Sequence, residues 1–308
     1  MSPVGAALAQ FVDYAGLFPP AAHDLQTTVT NHERYARSSD GWMLGRLVVP
    51  LSRLDEVAQV LGRLPAVERR WTIAVLAGAG DPVESVPAAI HRFQASPGTA
   101  GITVSAVEAA PAGLDALPAV PDHHVTLEQF VEVPLDATRD AWLDAVAARG
   151  WHAKVRTGGL TADRFPSPAS LASLLEACAQ RGLPLKTTAG LHHAARGAYR
   201  LTYEPGSPTG VMHGFLNLLV AALLVRAGAT AADAQRALEV RDAREFTLGE
   251  DAIGWQGRTF TAAACADTRT HLLRSVGSCS FDEPVADLRA LGWLPRDLQQ
   301  FGRGAQHH

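Results

Sequence analysis

The sequence contains very little lysine, cysteine or aromatic side chain. Only two of its 27 basic residues are lysines, Lys154 and Lys186, and the others are arginines. Three cysteines with no C-x-x-C pair argue against a disulfide framework or a zinc ribbon, and they favour a reducing compartment such as the cytoplasm. With 6% aromatic residues and no basic run, the chain lacks the composition of a nucleic-acid-binding protein.

Long apolar runs are also missing. The longest such stretch, at 215–225, contains Asn217 and is too short to cross a bilayer. The N-terminus lacks the charged start and apolar core of a signal peptide. At 308 residues, 47% hydrophobic and with a formal charge of −4, the chain has the composition of a globular protein. We therefore expect a cytoplasmic protein that binds a small molecule and interacts with neither nucleic acid nor membrane.

Strand and helix patterns alternate along the chain, separated by short linkers. Such repeats are typical of parallel strands joined by crossover helices. Eight of them predict a single (β/α)8 TIM barrel domain over 1–308. An open doubly wound sheet is the competing fold, but no G-x-G-x-x-G follows an early strand. The predicted strands are 15–19, 42–49, 71–77, 101–105, 125–135, the segments carrying Lys154 and Lys186, and 273–280.

The segment 194–272, between the seventh and eighth strands, is too long for one strand–helix unit, so we interpret it as an insertion. It contains helical patterns near 211–227 and 229–241 and a hairpin pattern around 249–251. An insertion of this kind covers the catalytic face of a barrel or forms a subunit contact. The apolar helix is either the seventh barrel helix or the contact surface of a homo-oligomer.

Both lysines occur in similar local sequence, an apolar run followed by lysine, small polar residues and glycine. Lys154 precedes Val-Arg-Thr-Gly-Gly, and Lys186 precedes Thr-Thr-Ala-Gly. This pattern is typical of a strand that ends at a ligand site. Arginine can replace lysine in a solvated ion pair but not as a nucleophilic amine, because the guanidinium group stays charged. The retention of these two lysines therefore indicates a chemical role.

Active sites of barrels lie at the carboxyl ends of the strands, where this sequence repeatedly places polar residues. Lys154 and Arg156 share one face of their strand, and with Lys186 they would form a crowded group of cations. Crowding of this kind lowers the pKa of a lysine and allows a neutral amine to attack a carbonyl. Asp13 either caps the barrel bottom or belongs to the site. The remaining candidates are Glu132, Asp136, Thr157, Gly158, His192, His193, Ser278 and Ser280.

The segments Lys154-x-x-Thr157-Gly158 and Lys186-x-x-Ala189-Gly190 resemble those of the deoxyribose-phosphate aldolase family of Schiff-base aldolases. The resemblance covers strands six to eight. It implies that Lys154 forms the Schiff base and that Lys186 lowers the pKa of Lys154. It implies no cofactor and no metal.

The segment 277–280, Gly-Ser-Cys-Ser, is similar to the phosphate-binding segment that precedes the last helix of that family. Ser278 and Ser280 would then bind substrate, as would His192 and His193. The aspartate that transfers protons in the family has no counterpart by motif, and Glu132 and Asp136 are the nearest candidates. The expected activity is an aldolase or lyase reaction on a small anionic oxo-substrate, with Arg156 binding its carboxylate.

Two other functions remain open from the sequence. His192, His193 and His213 with a carboxylate provide enough ligands for a metal-dependent lyase or hydrolase. A barrel that binds a ligand without catalysis is the third possibility. The two lysines at strand ends favour the Schiff-base enzyme over both.

Overall fold

The protein folds into a closed barrel of eight parallel strands, as the alternating sequence pattern predicts. The computed structural model describes residues 1–65, 69–78, 80–81, 85–117 and 127–295. The first two residues of the predicted fifth strand, 125–126, lie outside these ranges. Seven barrel strands are β1 (Val12–Tyr14), β2 (Leu44–Pro50), β3 (Thr72–Ala77), β4 (Thr103–Ala109), β5 (Glu128–Glu132), β6 (His152–Arg156) and β7 (Leu185–Thr188).

Between β7 and the last barrel strand the chain forms several further elements. A hairpin of β8 (Gly197–Arg200) and β9 (Thr209–Met212) comes first, followed by two helices. An antiparallel sheet of β10 (Thr247–Leu248), β11 (Ala252–Trp255) and β12 (Arg258–Thr261) comes next. The barrel then closes with β13 (Leu273–Ser278), which pairs with β7 on one side and β1 on the other. The order of strands around the barrel is β1-β13-β7-β6-β5-β4-β3-β2.

Helices surround the barrel and bury apolar faces against it. They are α1 (Pro3–Leu8), α2 (Leu25–Ala36), α3 (Leu54–Arg63), α4 (Val86–Gln94), α5 (Arg139–Ala147), α6 (Pro168–Gln180), α7 (Phe215–Arg226), α8 (Ala231–Glu239), α9 (Ala262–His271) and α10 (Asp282–Ala290). The main core lies between these helices and the strands, and a second, smaller apolar cluster fills the barrel interior.

The apolar helix α7 is buried along nearly its whole length. It packs on α6, α8, α9 and β13, which agrees with a barrel helix rather than a subunit contact. Asn217 tolerates this burial because its amide donates to the carbonyls of Ala237 and Val240 and its oxygen accepts from the amide of Arg196. None of the helices in the described ranges has the length and apolarity needed to cross a membrane.

The fifth strand ends at Glu132 rather than near residue 135, and two further strand positions differ from the sequence-based prediction. The first strand is Val12–Tyr14, not 15–19, and the chain turns within 15–19. Val12–Tyr14 pairs with β13 and β2, whereas the segment ending in Pro19 lies beyond these pairings. The fourth strand continues to Ala109 rather than ending near residue 105. Both differences matter for the site, because Asp13 lies within a strand and Glu108 belongs to the carboxyl end of another.

Candidate active site

Acidic and basic side chains form a row across neighbouring strands of the barrel. Glu132 on β5 is aligned with Lys154 on β6, and Lys154 is aligned with Lys186 on β7. The register therefore places the two lysines side by side, as the similar local sequences predict. Glu132 is the last residue of β5, so the row extends to the carboxyl end of that strand, which is the end at which barrels bind substrates.

A glutamate from β4 links the two lysines. Lys154 Nζ donates to Glu108 Oε2 at 2.9 Å, and Lys186 Nζ donates to Glu108 Oε1 at 2.5 Å. Lys154 also contacts Glu132 Oε2 at 3.3 Å, while Lys186 contacts Asp13 Oδ2 at 2.7 Å. We call the five residues, Glu132, Lys154, Glu108, Lys186 and Asp13, the ion chain. Its charges alternate in sign from one residue to the next.

Because these side chains are buried, the charges of their neighbours strongly affect their pKa values. Burial alone would raise the pKa of Glu108, but the charges of Lys154 and Lys186 outweigh it and lower the pKa from 4.5 to about 2. Burial would likewise lower the pKa of Lys186, yet Asp13 and Glu108 raise it above its ordinary value. The expected repulsion between cations is therefore wrong for Lys186, because carboxylates separate the lysines.

Asp13 belongs to this ion chain rather than to a cap at the barrel bottom. Its Oδ1 accepts from the amide of Arg46 at 2.7 Å, and its Oδ2 accepts from the hydroxyl of Ser275 at 2.8 Å. Gly45 makes room for it, because a Cβ there would lie 2.2 Å from Asp13 Oδ1. With these bonds and Lys186, Asp13 is held in a single position, which indicates that it positions Lys186.

A cavity of about 730 Å³ opens at the carboxyl ends of the strands. Lys154 and Glu108 lie at its base, while Lys186 and Asp13 are buried beneath them. Leu201 and Met212, next to and within the β8–β9 hairpin, contribute to its wall. Lys154 is thus the lysine that a ligand can reach, although its side chain is only 3% exposed.

Arg156 lies higher in the same cavity and is 60% exposed. Its Nε donates to Glu132 Oε1 at 3.0 Å, so the two oxygens of Glu132 hold the Arg156 guanidinium and the Lys154 ammonium next to each other. Among the contacts of the described residues, Arg156 uses Nε alone. Its two terminal amino groups are therefore available to a planar anion.

Thr157 and Gly158 shape the loop after β6. The Thr157 hydroxyl donates to the carbonyl of Ala189 at 2.8 Å, so it joins two loops and lies outside the cavity lining. Gly158 lines the cavity. A Cβ at Gly158 would lie 2.6 Å from the ring of Phe165 and 3.0 Å from the Ala189 carbonyl oxygen. Glycine is needed there because the loops after β6 and β7 approach closely.

His192 also lines the cavity, on the side of β13. Its Nδ1 shares a hydrogen bond with the Ser278 hydroxyl at 3.1 Å, and Glu283 lies 3.7 Å away. Burial lowers the pKa of His192 below its ordinary value. Burial also raises the pKa of the neighbouring Cys279 thiol to about 11, which keeps the thiol protonated at neutral pH. Ser278 itself is buried behind His192 and does not line the cavity.

Three further candidates lie apart from the cavity lining. Asp136 is exposed and accepts from the amide and hydroxyl of Thr138 just before α5. The rings of His193 and Tyr199 stack with 3.7 Å between their centroids, and His193 Nδ1 contacts Asp287. The Ser280 hydroxyl accepts from the amide of Glu283 at the start of α10. Each of these side chains has a local partner that accounts for its position.

The histidines proposed as metal ligands do not converge. His192 contacts Ser278, His193 contacts Asp287, and His213 Nε2 contacts the carbonyl of Pro166. No group of three or more His, Cys, Asp or Glu side chains is arranged to hold a metal ion within the described ranges. The side chains therefore give no geometric support to the metal-dependent alternative.

Glu108, at the centre of the ion chain, was not among the residues predicted from the sequence. The predicted strand ended at Ser105, four residues before the observed end at Ala109. The one available signal was a single acidic residue in the otherwise apolar stretch Ala106-Val107-Glu108-Ala109. A buried acid in a strand requires a cationic partner, which the sequence offers in its two lysines.

Compared with protein-family models, with curated proteins and with solved structures, the chain matches none of them. The resemblance to Schiff-base aldolases therefore depends on the motifs around Lys154 and Lys186. The side chains that surround these two residues are the remaining source of functional evidence.

Proposed function

We propose that this protein is a carbon–carbon lyase of the aldolase type that binds a small oxo-substrate as a Schiff base on Lys154. One observation carries the proposal: Lys154 is buried at the base of a cavity at the carboxyl end of a barrel, between two carboxylates. A lysine whose only role was an ion pair would not need a cavity of this size above it.

The first step is formation of the imine. Lys154 transfers a proton to Glu132, 3.3 Å away, and the neutral amine attacks the carbonyl carbon of the substrate. The carbonyl oxygen takes up two protons and leaves as water, which gives a protonated imine. A base then removes the proton of a hydroxyl group on the β carbon, and the bond between the α and β carbons breaks, so that the β carbon leaves as an aldehyde or ketone. The electron pair of the broken bond forms an enamine with the imine as electron sink. The enamine is protonated on carbon, and hydrolysis releases the second product and free Lys154.

The charges of the ion chain suit this cycle. The protonated imine keeps a positive charge on the same nitrogen, so Glu108 and Glu132 interact with it as they do with the ammonium group. Glu132 is 24% exposed and can exchange protons with solvent, whereas Glu108 is buried and its low pKa keeps it ionised. We therefore assign proton transfer to Glu132 and charge stabilisation to Glu108. Lys186 and Asp13 act as positioning residues beneath them.

The test is reductive trapping. Incubation with a carbonyl compound and sodium borohydride should add the mass of one reduced adduct, located by peptide mass spectrometry on Lys154. The chain is well suited to this assay, because Lys186 and the N-terminus supply the other primary amines. Lys154→Arg keeps the charge but removes the nucleophile, so it should abolish the adduct and lower turnover by several orders of magnitude.

The variant Arg149→Gln provides a matched control for expression and folding, because Arg149 lies just after α5, against Trp151 and outside the cavity lining. Its adduct yield should equal that of the wild type. An adduct on Lys186, or full activity in Lys154→Arg, would refute the role given to Lys154. A bound transition metal in stoichiometric amount with no adduct would favour the metal-dependent alternative.

We further propose that the segment 194–272 is an insertion that covers the active site, since Leu201 and Met212 line the cavity. A cytoplasmic location is supported by the three cysteines, which are all free and buried thiols. Size-exclusion chromatography with light scattering tests the remaining expectation, a homo-oligomer.

A further inference from the structure

Most charged residues that line the cavity above Lys154 lie on one side of it. Its positively charged lining residues are Lys154, Arg156 and Arg164, and all three come from β6 or from the loop that follows it. Gly159 accommodates the stem of Arg164, because a Cβ there would lie 2.8 Å from Arg164 Cβ. Two carboxylates also line the cavity, Asp163 beside Arg164 and Glu108 beside Lys154, and the terminal amino groups of Arg156 remain for an anionic ligand.

The opposite side of the cavity is apolar. In the order of the strands, β2 lies four places from β6 in either direction, directly across the barrel. Val48 on β2 lines the cavity there, with Leu76 on β3 and Phe18 after β1. These three side chains belong to the apolar cluster of the barrel interior. We call them the apolar wall.

The end of the cavity near α10 is unsuited to a phosphate group, although the segment 277–280 suggested one. The Ser278 hydroxyl accepts from the amide of Ser280, and the Ser280 hydroxyl accepts from the amide of Glu283. Asp282 and Glu283 also place two carboxylates in the first turn of α10. Negative side chains at a helix N-terminus take the place of an anionic ligand and repel another one.

From this distribution we infer that the substrate is an α-keto acid with an apolar substituent and no phosphate. Its carboxylate binds the terminal amino groups of Arg156, its keto carbon reacts with Lys154, and its substituent packs on the apolar wall. This inference rests on the proposed Schiff-base function. Glu132 supports the geometry, because it holds the Lys154 and Arg156 head groups next to each other, as a keto group and its adjoining carboxylate require.

Four probes separate the features of the substrate. α-Ketoisocaproate carries the carboxylate, the keto group and a branched apolar substituent. Methyl isobutyl ketone replaces only the carboxylate by a methyl group, pyruvate lacks the branched substituent, and glycolaldehyde phosphate carries phosphate instead of carboxylate. For each probe, the concentration that gives half-maximal borohydride trapping on Lys154 is measured by mass spectrometry.

We expect α-ketoisocaproate to be trapped at concentrations about tenfold or more below those of pyruvate and of methyl isobutyl ketone. Glycolaldehyde phosphate should show no saturation. In Arg156→Gln the advantage of α-ketoisocaproate over methyl isobutyl ketone should shrink by about tenfold. The comparison of two ketones in one variant cancels any change in the reactivity of Lys154. Val48→Thr, which keeps the shape of the wall but adds a hydroxyl, should reduce the advantage over pyruvate.

Binding of isocaproate, which has no keto group, separates this inference from the proposed function. Titration calorimetry should detect isocaproate binding in the wild type and its loss in Arg156→Gln. If isocaproate binds in this way but no probe is trapped, the Schiff-base function fails and the ligand class stands. If glycolaldehyde phosphate is trapped best, or if Arg156→Gln leaves the two ketones in their original ratio, the inferred substrate class is wrong. Absence of isocaproate binding with normal trapping of methyl isobutyl ketone also overturns it.

Discussion

Replacing Glu108 by glutamine tests the ion chain most directly. The change removes the negative charge that Lys154 and Lys186 share and keeps almost the same side-chain shape. The two lysines of the wild type lower the pKa of this carboxyl from 4.5 to about 2. Since one pKa unit corresponds to about 1.4 kcal/mol, the folded protein favours the ionised form by about 3 kcal/mol.

The pH dependence of this effect has a definite sign. A carboxyl group whose pKa is lowered by folding stabilises the protein above its unfolded pKa, and this contribution is lost as the pH falls through the folded pKa. In the wild type, the contribution of Glu108 to the free energy of unfolding should therefore fall by about 3 kcal/mol between about pH 4.5 and pH 2. The glutamine variant lacks this dependence. The free energies of unfolding of the wild type and of Glu108→Gln should differ by about 3 kcal/mol at neutral pH and converge in acid.

Urea unfolding followed by tryptophan fluorescence at several pH values between about 3 and 7 provides the measurement. Glu56→Gln is the control, because Glu56 is an exposed residue of α3 that pairs with Arg53 on the surface. Its effect should stay below about 1 kcal/mol at every pH. Strong coupling of Glu108 to the lysines would be refuted by either of two results. One is a free energy of unfolding in Glu108→Gln that lies less than about 1 kcal/mol below that of the wild type at neutral pH, and the other is a difference that does not change with pH.

Three further predictions concern residues outside the ion chain. Asp136→Ala should lower stability only slightly, through loss of the turn before α5, and leave trapping on Lys154 unchanged; reduced trapping would show that Asp136 contributes to the candidate site. Burial lowers the pKa of His32 from 6.5 to about 3, so the wild type should lose stability as the pH falls below about 6.5, and His32→Phe should remove this loss in urea unfolding. Asn217→Leu should lower the free energy of unfolding by about 3 kcal/mol, because two carbonyls and one amide lose their partners; a loss under 1 kcal/mol would contradict this reasoning.

The barrel itself was predictable from local sequence. The strands around Lys154 and Lys186, and those at 42–49 and 71–77, are recognisable because apolar runs alternate with helical patterns over short linkers. The first strand was not, because Val12–Tyr14 is only three residues long and has an aspartate at its centre. A strand with a charged residue in the middle lacks any apolar pattern. Its identity depends on pairing with β2 and β13, which are distant in sequence.

The candidate site was predictable only in part. The shared sequence pattern of the two lysines correctly placed them side by side on neighbouring strands. The same pattern contained no information about the charges between them, so the lysines were expected to repel each other. Asp136 and Glu132 occur four residues apart, yet only Glu132 faces the lysines, because the strand ends at Glu132. A difference of a few residues in a strand boundary therefore decides whether an acid belongs to the site.

The sequence by itself determined the class of fold and singled out the two lysines. Those features follow from local periodicity and from the chemical difference between lysine and arginine, which neighbouring residues are enough to reveal. The tertiary structure decided which carboxylates balance the lysines and which lysine faces the cavity. Closure of the barrel brings Asp13, Glu108 and Lys186 together from three separate parts of the chain. The electrostatic energy of a buried charge depends on distances of a few ångströms to its partners, and only the folded chain fixes those distances.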